Sequence, residues 1–419
     1  MKILDGHLHT LAASYPKESY VFILASLVNS VGNSLMWPLT TIYVHNVLHR
    51  TYGEAGLVLL FQSLAMVVGQ FVGGALFHKL GPKRLIVGSL VLTGLAQLGL
   101  IAAKLWVPYI LTMTLAGFLN AITMPAVSAF IAFRWPNEQY RLFNAVYVSN
   151  NVGVAMGTAL AGVLAAISFN LTFLFNGLTT ILFGAFFYAF LRRFNREETE
   201  DFALGGLAQS RESNLVSLLK PYRLYLFVAL GMAMVSLATS AWNSGVAPYL
   251  NQKGLSPAVY GFLWTVNGIV ILVGQPVTSL LNRYLTQSLY ARLVASAVLY
   301  AAGFGFMWAL HHAYVDLVLG MVVGTLGEML ISPTTPSLIT QTTGRFAPFY
   351  LGLVGGVGSV GRLVGPVLFG NMFDGWGVNP IFAVSTAATV LAAGLFVLQF
   401  FLRTPPSKAS SSHPLSLLS

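Results

Sequence analysis

The chain has no cysteine among its 419 residues, which excludes structural disulfides, iron–sulfur clusters and thiolate nucleophiles. Charge is also scarce. Only 8% of residues are Asp, Glu, Lys or Arg against 56% hydrophobic, where a soluble chain would need about 25% charged residues to cover its surface. Most of the surface must therefore face a solvent other than water, and an ordinary soluble enzyme is excluded. Acids are fewer than bases, 12 against 22, for a formal net charge of +10. That sign suits nucleic acid or an anionic membrane surface, and the positions of the charges decide between them. No Gly-x-x-x-x-Gly-Lys-Ser/Thr loop is present, so ATP drive is not expected. His7, His9, His45, His49, His78, His311, His312 and His413 all fall in tails, loops or the ends of apolar runs. An intramembrane enzyme, which needs several catalytic groups at one depth, is disfavoured, and no metal or cofactor is expected.

What the chain does have is apolar length. A helix needs about 20 mostly apolar residues to cross the hydrocarbon core. Such runs fall near 19–45, 53–77, 85–103, 106–133, 142–166, 170–191, 222–249, 257–281, 289–310, 315–340, 348–373 and 380–402. They are long and continuous, without the ten-residue alternation of a β-barrel. They predict an all-α polytopic membrane protein of twelve spans. The first 18 residues lack a signal-peptide h-region, so the first span is expected to stay in the mature protein.

With the N-terminus inside, 18 of the 22 bases fall in inside segments, whereas Arg50, Lys104 and Lys253 lie outside and Arg362 lies within a span. By the positive-inside rule this places both termini in the cytoplasm of a multi-pass cell-membrane protein. The scatter of bases over short loops also argues against a nucleic-acid partner. The longest connection, 192–221, holds five of the twelve acids and divides the spans six and six. The expected organisation is a first half at 1–191, a solvated linker at 192–221, a second half at 222–403 and a tail at 404–419. Residues 69–85 match 274–290 at Gly69/Gly274, Gln70/Gln275, Val72/Val277, Leu76/Leu281 and Leu80/Leu285, which suggests two parallel, pseudo-symmetric repeats.

Between spans 2 and 3 the chain reads Gly74-Ala75-Leu76-Phe77-His78-Lys79-Leu80-Gly81-Pro82-Lys83-Arg84, and after span 4 it reads Arg134-Trp135-Pro136-Asn137-Glu138-Gln139-Tyr140-Arg141. Span 5 carries Gly153-x-x-x-Gly157-x-x-x-x-Gly162, and span 11 carries Gly361 and then Gly365-Pro366. Small residues four apart let helices approach closely, and Pro bends a helix. On these motifs the chain resembles the major facilitator superfamily over essentially its whole length. The resemblance implies a rocking bundle of two six-helix halves. It also implies that Gly74, Lys79, Gly81 and Lys83 form a conformational latch, in which His78 stands where the family has Asp.

Glu328 is the one acid of the sequence that falls mid-span. A carboxylate there is costly unless it is paired, hydrated in a cavity or protonated. Such a group can load and release a proton as access alternates, and when ionised it can hold a cation. Arg362 falls near the same depth in span 11, so a Glu328–Arg362 bridge is the structural alternative. Asn29, Asn33, Asn120, Asn150, Asn151, Asn243 and Asn267, with Trp37, Trp242 and Trp264 beside them, are expected to line a central cavity suited to lipophilic compounds. The Leu-Gly-Glu stretch of span 10 resembles the multidrug proton antiporters of the superfamily, the LmrP-like group. That resemblance implies proton-coupled export of lipophilic or cationic small molecules, with protons and membrane lipid as the other partners and a monomer as the working unit. A uniporter or symporter of a small metabolite, or a lipid flippase, is the alternative.

Overall fold

The computed structural model describes residues 17–36, 39–50, 52–192, 219, 225–255 and 257–402. Trp37, most of the linker and the tails lie outside these residues, as does the side chain of His78. The described residues are almost wholly helical and contain no strand. The helices are α1 Lys17–Ser34, α2 Thr40–Asn46, α3 Tyr52–Gly99, α4 Trp106–Arg134, α5 Gln139–Ile167 and α6 Phe169–Arg192. After the linker come α7 Leu226–Thr239, α8 Ala247–Gln252, α9 Pro257–Val273, α10 Gln275–Tyr284, α11 Leu289–Ala309, α12 Tyr314–Thr343, α13 Ala347–Trp376 and α14 Asn379–Phe401.

Eight stretches among the described residues are individually long and apolar enough to cross a bilayer, or nine with the bent pair α9–α10 taken as one. One of them, Tyr314–Trp376, runs 63 residues, about 95 Å at helical rise, and so must be two passes. The 48-residue α3 likewise holds two. It breaks at Gly81, whose φ of 74° and ψ of 159° favour glycine, with Pro82 following. Gly344, at φ 52°, makes the turn from α12 to α13. The α9–α10 span bends by 55° at Gly274, where Pro276 removes a backbone donor just inside the second segment. A π-turn at Trp242–Val246 joins α7 to α8. With these pieces joined, the helices are consistent with the twelve expected passes.

The two halves repeat one pairing plan. α1 packs on α5 and α6, and in the second half α7 packs on α13 and α14; α3 packs on α4 and α6, as α11 packs on α12 and α14. The glycine pairs of the sequence occupy matching places in this plan. A side chain at Gly153 or Gly157 would strike Ser30, Val31 and Ser34 of α1, and one at Gly361 or Gly365 would strike Ala233, Leu237 and Ser240 of α7. Such close backbone approach is how helices associate where hydrocarbon gives no hydrophobic drive.

The bases mark one end of the bundle. Arg134 of α4 pairs with Glu18 of α1 at 3.0 Å, Lys83 lies over the Tyr188 ring at 4.7 Å, and Arg292 lies over Tyr140 at 4.2 Å. At the opposite end Arg50 pairs with Glu54 at 3.3 Å, and Lys253 donates to the carbonyl of His312 at 2.7 Å.

Candidate functional site

The halves meet along two seams, and each seam climbs from the basic end to mid-span. In the first, α3 lies against α13. A side chain at Gly74 would come within 2.5 Å of the Pro348 carbonyl and 3.1 Å of Gly352, so glycine is what lets the backbones touch. Farther along, Gln70 Nε2 donates to Ser359 Oγ at 2.8 Å. Arg362 Nη2 donates to the same oxygen at 3.0 Å, while the hydroxyl donates to the Gly355 carbonyl at 2.9 Å.

In the second seam α5 faces α10 and α12. Thr340 donates to Gln139 Oε1, Asn282 Nδ2 donates to the Tyr140 hydroxyl at 3.1 Å, and Asn144 Nδ2 donates to Gln275 Oε1 at 3.0 Å. Above these bonds sits Glu328, fourteen residues into the 30-residue α12. It is partly buried and accepts from Asn267 Nδ2 at 3.1 Å, and the same amide donates to Thr325 at 2.9 Å. Tyr147 of α5 and Tyr300 of α11 lie within electrostatic reach of the carboxyl. The Tyr147 hydroxyl is buried and faces that carboxyl as a side-chain partner, short of a full hydrogen bond. Toward the opposite end no side-chain hydrogen bond joins the halves among the described residues.

The Glu328–Arg362 ion pair, the structural alternative for Glu328, is not formed. Both residues sit at the middle of their helices, as rise along the chain requires. Depth does not fix direction, however: Arg362 turns to the first seam and Glu328 to the second. Arg362 retains exposed surface and has no carboxylate within ion-pair distance among the described residues.

Trp242, expected in the cavity wall, is turned into the second half. It is 5% exposed and packs on Phe304 in the core of the second half, so it does not line the cavity. Trp264 is exposed and meets Tyr260 edge-on, and the Tyr260 hydroxyl donates to Asn243 at 2.6 Å. In the first half Asn33 accepts from Gln97 at 3.5 Å, and Asn29 Oδ1 is buried without a partner among the described residues. Asn150 accepts from Ser30 through its backbone carbonyl, Asn151 donates to the Tyr147 carbonyl of its own helix, and Asn120 is partly buried on α4. Lys79 and Pro366 are exposed. The residue missed in the sequence is Tyr147. It stands on one helical face with Tyr140 and Asn144, a spacing that would have revealed it.

A profile of the Major Facilitator Superfamily matches residues 22–347. The MFS-type transporter YttB of Bacillus subtilis is 32% identical over 367 residues, covering 87% of this chain and 91% of that protein. The quinolone resistance protein NorA of Staphylococcus aureus is 23% identical over 381 residues, covering 90% and 95%. Among solved structures, the human organic anion transporter MFSD10 superposes with a TM-score of 0.66 at 14% identity, covering 92% of this chain and 99% of that one.

Proposed function

The chain belongs to the Major Facilitator Superfamily, and on that premise we propose that it is a proton-coupled exporter of lipophilic or cationic small molecules, working by alternating access between its two halves. The observation that carries the reading is the setting of Glu328. It is a carboxyl at mid-span, bonded to an uncharged amide and faced by two tyrosines, with no cation paired to it among the described residues. A carboxylate so placed is costly when ionised and bare, so it holds either a proton or a cationic substrate, and the exchange of one for the other is antiport. The likeness to NorA supports a drug-like substrate.

The basic end is read as cytoplasmic, with both termini there, in the cell membrane. Two bonded seams at that end and none opposite then correspond to the outward-facing state, in which Glu328 is open to protons from outside. On this reading the exposed ring of Trp264, beside Tyr260 and Asn243, serves as an apolar wall with a polar handle. The protein works as a monomeric carrier with no catalytic role.

The test is uptake of a lipophilic cationic dye, ethidium, into inside-out proteoliposomes under an imposed pH gradient, with wild type against Glu328→Gln. Gradient-driven accumulation is expected in the wild type and not in the variant. Equal accumulation in both would overturn the reading. A second reading rests on Arg362, an exposed mid-span cation that pairs with no acid among the described residues: it would suit an organic anion moved by uniport or symport.

A further inference from the structure

The second seam is a ladder on one face of α5. Tyr140, Asn144 and Tyr147 are spaced four and three apart, which stacks them on one side of the helix. The lower two rungs are bonded across the halves, Tyr140 to Asn282 and Asn144 to Gln275. The third is not. The Tyr147 hydroxyl is buried and faces the Glu328 carboxyl of the other half as a side-chain partner, at a geometry that falls short of a full hydrogen bond. A buried hydroxyl short of a full hydrogen bond costs free energy, so a rung that is only partly made here, beside an acceptor whose charge changes, tightens or loosens with that charge.

We propose that Tyr147 is a positioning residue that makes the closure of the basic end depend on the proton at Glu328. When Glu328 is ionised, the tyrosine hydroxyl donates to its carboxylate across the seam and adds a charged third rung. When Glu328 is protonated, the acceptor is weaker and the rung is lost, because hydrogen bonds to an ionised acceptor are about twice as strong as neutral ones. Protonation from the open side thus loosens the seam at its upper end and frees the basic end to open. The inference rests on the reading of Glu328 as the proton carrier and adds the element of the first half that responds to it.

The surroundings favour tyrosine as the responder. Of the elements packed on α12, α9 brings Asn267 and α11 brings Tyr300 to the carboxyl. Arg362 of α13 is bonded to Ser359. The charges of α4, α5, α10 and α11 (Arg134, Arg141, Arg283 and Arg292) stand at the basic end, while Asp316 and Asp374 stand at the other. Asn267 and Tyr300 belong to the same half as Glu328, so neither can join the halves. Tyr147 can.

The experiment uses the absence of native cysteine. Arg84→Cys and Arg283→Cys, both exposed and one in each half, carry spin labels at the basic end, and the closed fraction is read by electron–electron distance measurement in nanodiscs from about pH 5 to 9. In the otherwise native protein the closed fraction rises with pH. Tyr147→Phe keeps the ring and removes the donor, and its midpoint is expected about one pH unit higher, the size of one charge-assisted hydrogen bond. In Glu328→Gln the distance is expected not to depend on pH, with or without Tyr147→Phe. A Tyr147→Phe midpoint equal to wild type, while Glu328→Gln still removes the pH dependence, overturns the inference and leaves the proton reading standing. A Tyr147→Phe effect that persists in the Glu328→Gln background makes Tyr147 a packing residue and also overturns it. Equal pH dependence in wild type and Glu328→Gln overturns the proton reading, and this inference with it.

Discussion

Asn144 Nδ2 donates to Gln275 Oε1 at 3.0 Å, joining the two halves of the bundle through a pair of uncharged amides. Where the family resemblance implies a conformational latch at the loop holding His78, this chain's second seam is closed by neutral groups: Gln139 with Thr340, Tyr140 with Asn282, Asn144 with Gln275. Neutral bonds of this kind are worth about 0.5–1.5 kcal/mol each net. A gate built from several of them holds firmly but opens one bond at a time.

Asn144→Ala is therefore expected to lower the closed-to-open ratio at the basic end by about two- to tenfold. Gln275→Ala in the same background should add little, since the bond is already gone. Labelling rates of cysteines introduced beneath the seam measure the ratio. Equal and additive effects of the two substitutions would show that the amides do not act as a pair.

Gly74 is the matching test of the first seam. A Cβ there lies 2.5 Å from the Pro348 carbonyl, which is backbone and cannot swing aside. Gly74→Val should cost the closed state about 1–3 kcal/mol of overpacking, shifting the population toward a molecule open at the basic end by about five- to hundredfold. Transport would fall while folding, read by detergent-solubilised thermal stability, stays close to wild type, because the contact is between halves and not within one. A loss of folding would mean that the α3–α13 contact is structural in every state.

The runs of apolar residues made the helices and their division into halves legible, because lipid demands about 20 such residues per pass whatever the neighbours. The glycines at 153, 157, 361 and 365 were legible for the same reason, since close packing in hydrocarbon needs small side chains at four-residue spacing. Direction within a span was not legible. A helix that is apolar all round has no period from which to read its facing, so Trp242, next to Asn243, looked like cavity wall and is core. Glu328 and Arg362 both fall at the middle of their helices, but their azimuths send them to different seams. Tyr147 escaped notice because a tyrosine inside a span reads as filler until its neighbours at Tyr140 and Asn144 are seen bonded across the interface.

Arg362 separates the two readings of substrate charge. It donates to Ser359 Oγ at 3.0 Å, a bond that glutamine can also make. With a lipophilic cation as cargo, Arg362→Gln should leave pH-driven dye transport within about threefold of wild type, the scale of one modest hydrogen bond. If the cargo is an organic anion, the same substitution should remove binding almost entirely, since the exposed mid-span cation would be lost. Dye export abolished by Arg362→Gln would count against the cationic reading.

The loop between α11 and α12 supplies a pH dependence unconnected with the proposed proton site. His311 and His312 stack with ring centroids 4.7 Å apart. Tyr249 donates to the His311 carbonyl at 2.9 Å, and Lys253 to that of His312 at 2.7 Å. Burial, and next the neighbouring His312, hold the His311 imidazole below the ordinary histidine range, and Lys253 acts in the same direction. Its protonation is thus disfavoured in the folded loop relative to the unfolded chain. The associated stability is fully present above the ordinary histidine value near about 6.5 and is lost as pH falls through the lower folded value. Thermal unfolding in detergent should show a larger drop between about pH 7.5 and 5.5 for wild type than for His311→Asn, which cannot take up the proton. Equal drops in the two proteins would show that another group titrates in this range.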